Sequence, residues 1–450
     1  MSGMPLLQAF ALLVAAIVVI AATQPRRLHP FLAITIVATA FGFAVGFSTG
    51  FVGKTFGTGF TQAIYAPGLV IVAAGFIAAL ADSSGAAERL ARKIARWRWL
   101  GSSPLAALAG LVAGAAASPT AAFALLTPLF RVFGDTQPRR RGAAVTVGLS
   151  ISASHGLYVF TPVPVAAASI LGAGWGRVAL FGVPVALLTV GAGAAWARWV
   201  VRPNTPSSSS GAHAASSPAG RGSAVMLFLA VAIPLLMLIF QSLGDIPSEP
   251  LGSGPKREMV LATGRPLILL LVALGIMVIG HLRLSAKLFT DSGWTARVFA
   301  QVAGVLLAVG AAGGLQRLCQ ETGMAELLGE RMLGLQVGGV GALLVPFVVA
   351  AVVKTLQGSS LVAAITAAGM LQPMLAPLGL AGANATALAA LAVGAGAMTA
   401  SHVNDDYFWL VTLDAGLTTW RGFVAITLGT LLQGLVAVAA LIVLAALFLG

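Results

Sequence analysis

The chain has 450 residues, of which 58% are hydrophobic and 9% are charged, and its formal net charge is +13. Soluble domains carry about 25% charged residues, so this composition excludes an ordinary soluble protein and indicates residence in a lipid bilayer. Long uninterrupted apolar runs indicate membrane helices and exclude a β-barrel, whose strands alternate apolar and polar residues. Lys and Arg lie mostly in short loops between these runs, which is typical of membrane orientation and argues against a nucleic-acid partner.

Apolar runs of about 17 to 25 residues predict the membrane-spanning helices. In chain order they lie near 5–23, 30–49, 65–82, 143–170, 177–199, 224–243, 265–283, 298–318, 384–410 and 421–449. Two further apolar stretches, 102–134 and 338–379, are interrupted by polar and proline residues, which favours re-entrant hairpins. The polar stretch 244–263 is interpreted as an external loop. The predicted fold class is all-α and polytopic, with about ten to twelve transmembrane helices, two re-entrant hairpins and broken helices at mid-membrane.

Three short motifs of the first half recur in the same order in the second half. The matching pairs are 82–88 with 321–326, 118–120 with 357–359, and 152–155 with 399–402. Chance similarity of Ala- and Ser-rich strings is the alternative interpretation. An odd number of crossings separates the two copies, so the second copy is predicted to be inverted, as in many secondary transporters.

The predicted domain organisation follows from this repeat. Residues 1–202 form the first inverted repeat, with its hairpin at 102–134, and residues 224–450 form the second, with its hairpin at 338–379. The intervening segment 203–223 is rich in Ser, Ala, Gly and Pro and is predicted to be a flexible cytoplasmic linker.

Ionisable side chains at membrane depth are costly, so each is a hypothesis of function. Lys354 precedes the polar interruption of the second hairpin, where it would supply a positive charge for an anionic substrate; a snorkelling lysine is the structural alternative. The hairpin interruptions would add hydroxyls and backbone N–H groups at half-helix N-termini. Pro162 and Pro164 predict a break in the crossing helix of the first half.

The segment 401–409 is the densest polar cluster within an apolar region of the chain. It indicates either a helix end at the cytoplasmic surface or a helix broken within the membrane. His155 and His402 occupy equivalent repeat positions, and each is either a satisfied core histidine or a proton carrier. Asp405 follows His402 by three positions, so a regular helix would place both on one face as a pair that carries a proton. The sequence contains no metal-ligand spacing or phosphate-binding loop, so neither a metal site nor a cofactor is predicted.

Two of these segments resemble motifs of the gluconate permease (GntP) family, a branch of the ion transporter superfamily. Residues 354–369 are similar to the family's R-x-x-Q-G-S-A-T-V-A stretch, and 401–409 to its S-H-V-N-D-[SA]-G-F-W stretch. The resemblance extends over nearly the whole chain. It implies a multi-pass protein of the cytoplasmic membrane that takes up gluconate or a related sugar acid or hydroxycarboxylate, driven by the proton gradient, without a cofactor. Related folds suggest a homodimer.

The chain departs from the family pattern at several of these positions. Thr120 stands where the family commonly has an acid in the first hairpin, and Asp406 and Tyr407 replace a small residue and Gly. Lys354 replaces an Arg, which exchanges a bidentate fork for a point charge. Without the acid of the first hairpin, coupling is predicted to depend on Asp405 and the histidines, or to use a different ion.

The sequence therefore predicts a secondary transporter of small organic anions and not an enzyme. The residues predicted to bind substrate are Ser118, Thr120, Ser154, His155, Lys354, Gln357, Gly358, Ser359, Ser360, Thr366, Ser401 and Asn404. Those predicted to carry the proton are His402 and Asp405. A sodium-coupled (di)carboxylate carrier is the nearest alternative. An intramembrane hydrolase with Ser359 as nucleophile and His402 as base is a remote one, because the repeat makes both residues members of a binding pair.

Overall fold

The protein is described here by a computed structural model. The residues that it describes are 4–23, 28–65, 67–94, 102–116, 118–133, 136–158, 161–201, 224–244, 246, 249–280, 294–324, 327, 330 and 339–449. The helices in chain order are α1 (Met4–Ala22), α2 (Pro30–Ala44), α3 (Thr49–Tyr65), α4 (Pro67–Ser84), α5 (Ala86–Ile94), α6 (Ser102–Ala113), α7 (Pro119–Leu126), α8 (Phe130–Phe133), α9 (Gln137–Leu157), α10 (Pro162–Leu171), α11 (Trp175–Val200), α12 (Ala224–Gly244), α13 (Pro255–Thr263), α14 (Pro266–Gly280), α15 (Trp294–Gln320), α16 (Leu344–Gln357), α17 (Ser360–Leu371), α18 (Ala383–Ala397), α19 (Asp406–Asp414), α20 (Thr419–Gly422) and α21 (Leu428–Phe448).

The prediction of an all-α protein with several apolar helices is confirmed, since the described residues contain helices and no strands. Within them, five helical stretches are long and apolar enough to cross a membrane, and two bent helix pairs could each supply one more span. The described residues also contain seven shorter apolar helices of 10–17 residues. The count of about ten to twelve spans stays a prediction. The linker 203–223 lies outside the described residues, so the division into two halves stays a prediction as well.

Helices α3 and α13 are among those that lie where no membrane span was predicted. Helix α3 occupies 49–65, a stretch whose glycines and polar residues conceal it from a search for apolar runs. It packs along α15, where a Cβ on Gly59 would lie 2.9 Å from the carbonyl carbon of Gly313. Small residues permit this close approach of two membrane helices. Helix α13 lies within the stretch predicted to be an external loop, so that prediction was wrong in part.

A core of small residues lies at the centre of the bundle. Every residue of α18 from Ala385 to Ala397 is buried, because alanine and glycine allow neighbouring helices to approach it from all sides. The outer helices expose large apolar side chains instead, among them Phe10, Leu180, Leu271 and Leu447. Such an outward-facing apolar surface matches the hydrocarbon of a bilayer.

Two pairs of successive helices are separated by short breaks at the positions where the sequence predicts broken helices; that these breaks lie at mid-membrane stays a prediction. Helix α9 ends at Leu157 and α10 begins with Pro162 as one of its first residues; α18 ends at Ala397 and α19 begins at Asp406. Helix α10 packs against α17 of the second hairpin, and α19 packs against α7 of the first. Each broken helix therefore contacts the hairpin of the other half, which brings the polar breaks together.

Candidate functional site

A cavity of about 460 Å³ lies where the hairpin tips meet the broken helices. Its wall includes residues of both tips, such as Ser118 and Ser359, and residues of both breaks, such as Pro162 and Asp405. The tightly packed helices α3 and α15 also contribute to the wall, with Gln62 and Arg317. The volume is within the range of about 300–1,000 Å³ that small-molecule sites occupy.

The tip of the second hairpin is a sharp turn that opens α17 toward the cavity. Gly358 has a φ of 79°, in the left-handed region, and a Cβ at this position would collide with the backbone oxygen of Asn404. Only glycine meets both demands. Ser359 then caps α17, since its hydroxyl accepts a hydrogen bond of 3.3 Å from the backbone N–H of Val362.

The tip of the first hairpin repeats this design with different residues. The Ser118 hydroxyl accepts a hydrogen bond of 3.2 Å from the backbone N–H of Ala121, and Pro119 occupies the first turn of α7. The N-termini of α7 and α17 thus both open at the cavity, and the positive ends of their dipoles favour an anion there.

A buried ion pair joins the second hairpin to the break between α18 and α19. The Lys354 ammonium lies 2.5 Å from Oδ2 of Asp405, and the two side chains are only 2% and 8% exposed. The same ammonium donates to the backbone oxygen of Gly358 at 2.6 Å, while Ser401 donates to Asp405 Oδ2 at 2.5 Å. Lys354 therefore does not snorkel to a membrane surface, and the polar cluster at 401–409 is a buried helix break.

The second oxygen of Asp405 fixes the start of α19. Oδ1 accepts a hydrogen bond of 3.0 Å from the backbone N–H of Tyr407, which makes Asp405 the N-cap of this helix. The Tyr407 hydroxyl donates to the backbone oxygen of Gly148 on α9 at 2.8 Å. These contacts hold the α19 terminus against the first half of the chain.

A second carboxylate stands next to this pair. Asp406 lines the cavity, and its Oδ2 accepts a hydrogen bond of 3.2 Å from the Thr120 hydroxyl at the start of α7. Two carboxylates, one ammonium and several hydroxyls are therefore gathered at one cavity. A group of this kind can bind a polyhydroxylated anion and exchange a proton; within the described residues, no cluster of His, Cys, Asp and Glu could hold a metal ion.

Comparison with known proteins identifies the family. Residues 4–448 match the family described as GntP family permease. The chain belongs to the GntP permease family. It is 29% identical to the gluconate permease of Pseudomonas aeruginosa, over 86% of each chain. It is also 26% identical to the low-affinity gluconate transporter of Escherichia coli K12, over 87% of this chain and 88% of that one.

A third relative carries a different substrate name. The Gnt-II system L-idonate transporter of Escherichia coli K12 is 25% identical over 88% of this chain and 90% of its own. Membership of a permease family makes the protein a multi-pass membrane transport protein and not an enzyme, as predicted.

In this GntP permease, nine of the fourteen predicted site residues line the cavity and five do not. The nine are Ser118, Thr120, His155, Lys354, Gly358, Ser359, Ser360, Ser401 and Asp405. The five are Ser154, Gln357, Thr366, His402 and Asn404. The roles of all fourteen residues in transport stay predictions. The contacts of the five are with the protein's own helices.

Two of the five support the end of α16. The last carbonyls of a helix have no partner within the helix. His402 Nε2 lies 2.8 Å from the backbone oxygen of Thr355, and Asn404 Nδ2 donates to the same oxygen at 3.0 Å and to that of Leu356 at 3.3 Å. Because a carbonyl only accepts, Nε2 of His402 carries the hydrogen. This contact directs the His402 ring to the end of α16, and His402 is not among the residues that line the cavity.

The other three lie within helices of the permease. The Ser154 hydroxyl donates to the Ser150 backbone oxygen of its own helix at 2.8 Å. Gln357 is buried at the end of α16, and Thr366 is partly exposed on α17, two turns from the tip.

Several cavity residues were missed from the sequence. Asp406 was seen only as a departure from the family pattern, although it lies in the polar cluster that indicated the site. Gln62 was missed because α3 was not predicted. Arg317 was not predicted as part of a site; its guanidinium pairs with Glu321 at 2.6 Å. An ionisable side chain within or beside an apolar segment was the available signal for Asp406 and Arg317. Gln62 had no such signal, because α3 is itself rich in glycine and polar residues.

Proposed function

We propose that this permease takes up gluconate, or a closely related sugar acid or hydroxycarboxylate, across the cytoplasmic membrane together with protons. The observation that carries the proposal is the buried Lys354–Asp405 pair at the wall of a cavity rich in hydroxyl groups. Relatives named for gluconate and L-idonate support a sugar acid as substrate. Their bacterial source supports the cytoplasmic membrane as the location.

Binding would use the ammonium and the two capped tips together. The substrate carboxylate would approach Lys354 and compete with Asp405 for it, since an ammonium is the natural partner of both. The N-termini of α7 and α17 add positive potential on either side. Hydroxyls of Ser118, Ser359 and Ser360 would hydrogen-bond the alcohol groups of the sugar acid, which distinguishes it from a plain fatty acid.

Proton coupling follows from the cost of charge in a membrane. An anion that enters a site already holding two carboxylates adds a third negative charge against the Lys354 ammonium, because the other cation of the wall, Arg317, is already paired with Glu321. Buried charges are tolerated only when they are compensated. A proton taken up with the substrate provides that compensation, which is why we favour protons as the coupling ion.

We further infer that the halves are inverted repeats that expose the cavity alternately to the two sides. Supporting features are the serine-capped tip in each half, the broken helix that follows it, and the reciprocal packing of α10 on α17 and α19 on α7. Broken helices that meet near the bilayer midplane are typical of secondary transporters built in this way.

The test is uptake of radiolabelled gluconate into proteoliposomes with an acidic exterior. Wild-type protein accumulates gluconate, and Lys354→Met abolishes uptake. Lys54→Met is the matched control, because Lys54 is exposed on α3 and does not line the cavity; it transports normally. Uptake that survives Lys354→Met contradicts the proposed site. Uptake that requires sodium at a fixed proton gradient identifies the sodium-coupled alternative instead.

A further inference from the structure

The two carboxylates of the site differ in their partners. Both oxygens of Asp405 are engaged, Oδ2 by Lys354 and Ser401 and Oδ1 by the Tyr407 backbone N–H. Asp406 instead receives the Thr120 hydroxyl, a neutral donor, at 3.2 Å. The ammonium contacts Asp405, whereas Asp406 accepts from a hydroxyl and lies beside the Asp405 carboxylate.

The helices packed on α19 supply no second cation in contact with Asp406 among the described residues. Helix α7 contains no ionisable side chain, and α9 contributes His155 to the cavity. Helix α15 contributes Arg317, which pairs with Glu321. The other basic groups near α19, Arg141 and Arg421, belong to its opposite end: Arg141 lies beside Gly416, and Arg421 follows in α20.

We propose that Asp406 is the residue that carries the coupled proton, in place of His402 and Asp405. This inference rests on the proposed function and names its coupling group. With Asp406 ionised, Lys354 and the two carboxylates carry a net charge of −1 in the empty site, and the Arg317–Glu321 pair adds none. A bound monocarboxylate makes it −2, and a proton on Asp406 returns it to −1. Substrate and proton therefore favour each other's binding.

The Thr120 hydroxyl suits a carboxylate that changes its protonation state. It donates to the ionised carboxylate, and it can accept from the protonated one by rotation about its C–O bond. The hydrogen bond between α7 and α19 thus persists in both states. An ammonium partner could not do this, because it has no lone pair and opposes protonation.

The same contact unites two departures of this chain from the family pattern. Thr120 stands where the resemblance places an acid, and Asp406 where it places a small residue. The structure joins the two by a hydrogen bond. The contact therefore contains a carboxylate, but Asp406 on α19 supplies it instead of residue 120 on α7. Moving the carboxylate to position 120 is a test specific to this protein.

The experiment compares two assays in the same proteoliposomes: gluconate accumulation driven by an acidic exterior, and gluconate exchange without a gradient. One proton per monocarboxylate allows about tenfold accumulation for a gradient of one pH unit. Wild-type protein approaches this ratio. Asp406→Asn retains measurable exchange, but its accumulation ratio falls to about one, the value without coupling. Asp414→Asn makes the same change at the far end of α19, off the cavity, and couples as the wild type does.

The double variant T120D/D406T swaps the two side chains and tests whether the carboxylate at this contact is responsible for proton coupling. It restores proton-driven accumulation, because the acid and the hydroxyl have only changed sides of one hydrogen bond. If D406N misfolds and loses both activities, proton-driven accumulation by T120D/D406T still tests whether this carboxylate carries the proton. Full accumulation by D406N, or none by a folded T120D/D406T that still exchanges gluconate, overturns the assignment of Asp406 and leaves the proposed function intact. Wild-type protein that neither exchanges nor accumulates gluconate overturns both.

Discussion

Replacing Lys354 by Met tests whether the buried ion pair holds the site together as well as binding the substrate. Lys354 is 1% exposed, and its ammonium contacts Asp405 at 2.5 Å. At an effective dielectric constant of about 20, unit charges roughly 4 Å apart attract by about 4 kcal/mol. Removing one partner of a buried pair costs about 3–5 kcal/mol, because the other charge stays buried without compensation. We expect K354M to lower the free energy of unfolding by that amount.

The double variant K354M/D405N separates stability from transport. It removes both charges, so most of the lost stability returns. Gluconate uptake stays absent, since Lys354 is gone and the other cation of the cavity wall, Arg317, is paired with Glu321. Stability is measured by unfolding in mixed micelles, with intrinsic tryptophan fluorescence, to which the buried Trp409 on α19 contributes, as the reporter.

Two results would refute this reasoning. A double variant as unstable as K354M would show that the lost stability does not come from an unpaired Asp405. A double variant that recovers uptake would show that Lys354 serves the fold and not the substrate. Asp405→Asn alone completes the cycle and gives the coupling energy of the pair.

Three further changes probe the tip and the break. Gly358→Ala forces a side chain into the left-handed region and against Asn404, so folded yield and uptake both fall sharply, whereas Gly369→Ala, with open space around it, keeps both. Ser359→Ala removes the cap of α17 and lowers unfolding free energy by about 1 kcal/mol in the same micelle assay, with a higher KM for gluconate. Tyr407→Phe removes one buried hydrogen bond and costs about 1 kcal/mol; a loss within error in the micelle assay would show that this bond contributes no stability.

Much of the site was predictable because intramembrane polarity is scarce. Lys354, Asp405 and the serines of the two tips stand out in a chain with 9% charged residues, and the structure gathers them at one cavity. Polar residues that hydrogen-bond backbone carbonyls cannot be distinguished in the sequence from those that bind a substrate. His402 and Asn404 were predicted at the site, yet both are committed to the carbonyls of α16, and no local pattern distinguishes a ligand-binding amide from a capping one.

By itself, the sequence determined the environment and the class of this protein. Its apolar runs require helices in a bilayer, its interruptions mark the places where those helices break, and its motifs indicate the GntP family. Only the tertiary structure decided which charges meet. Lys354 and Asp405 are separated by a hairpin limb and a helix, and Thr120 and Asp406 lie in different halves of the chain. Periodicity describes how a helix faces its surroundings, but which side chain neutralises a buried charge depends on distances across the packed bundle.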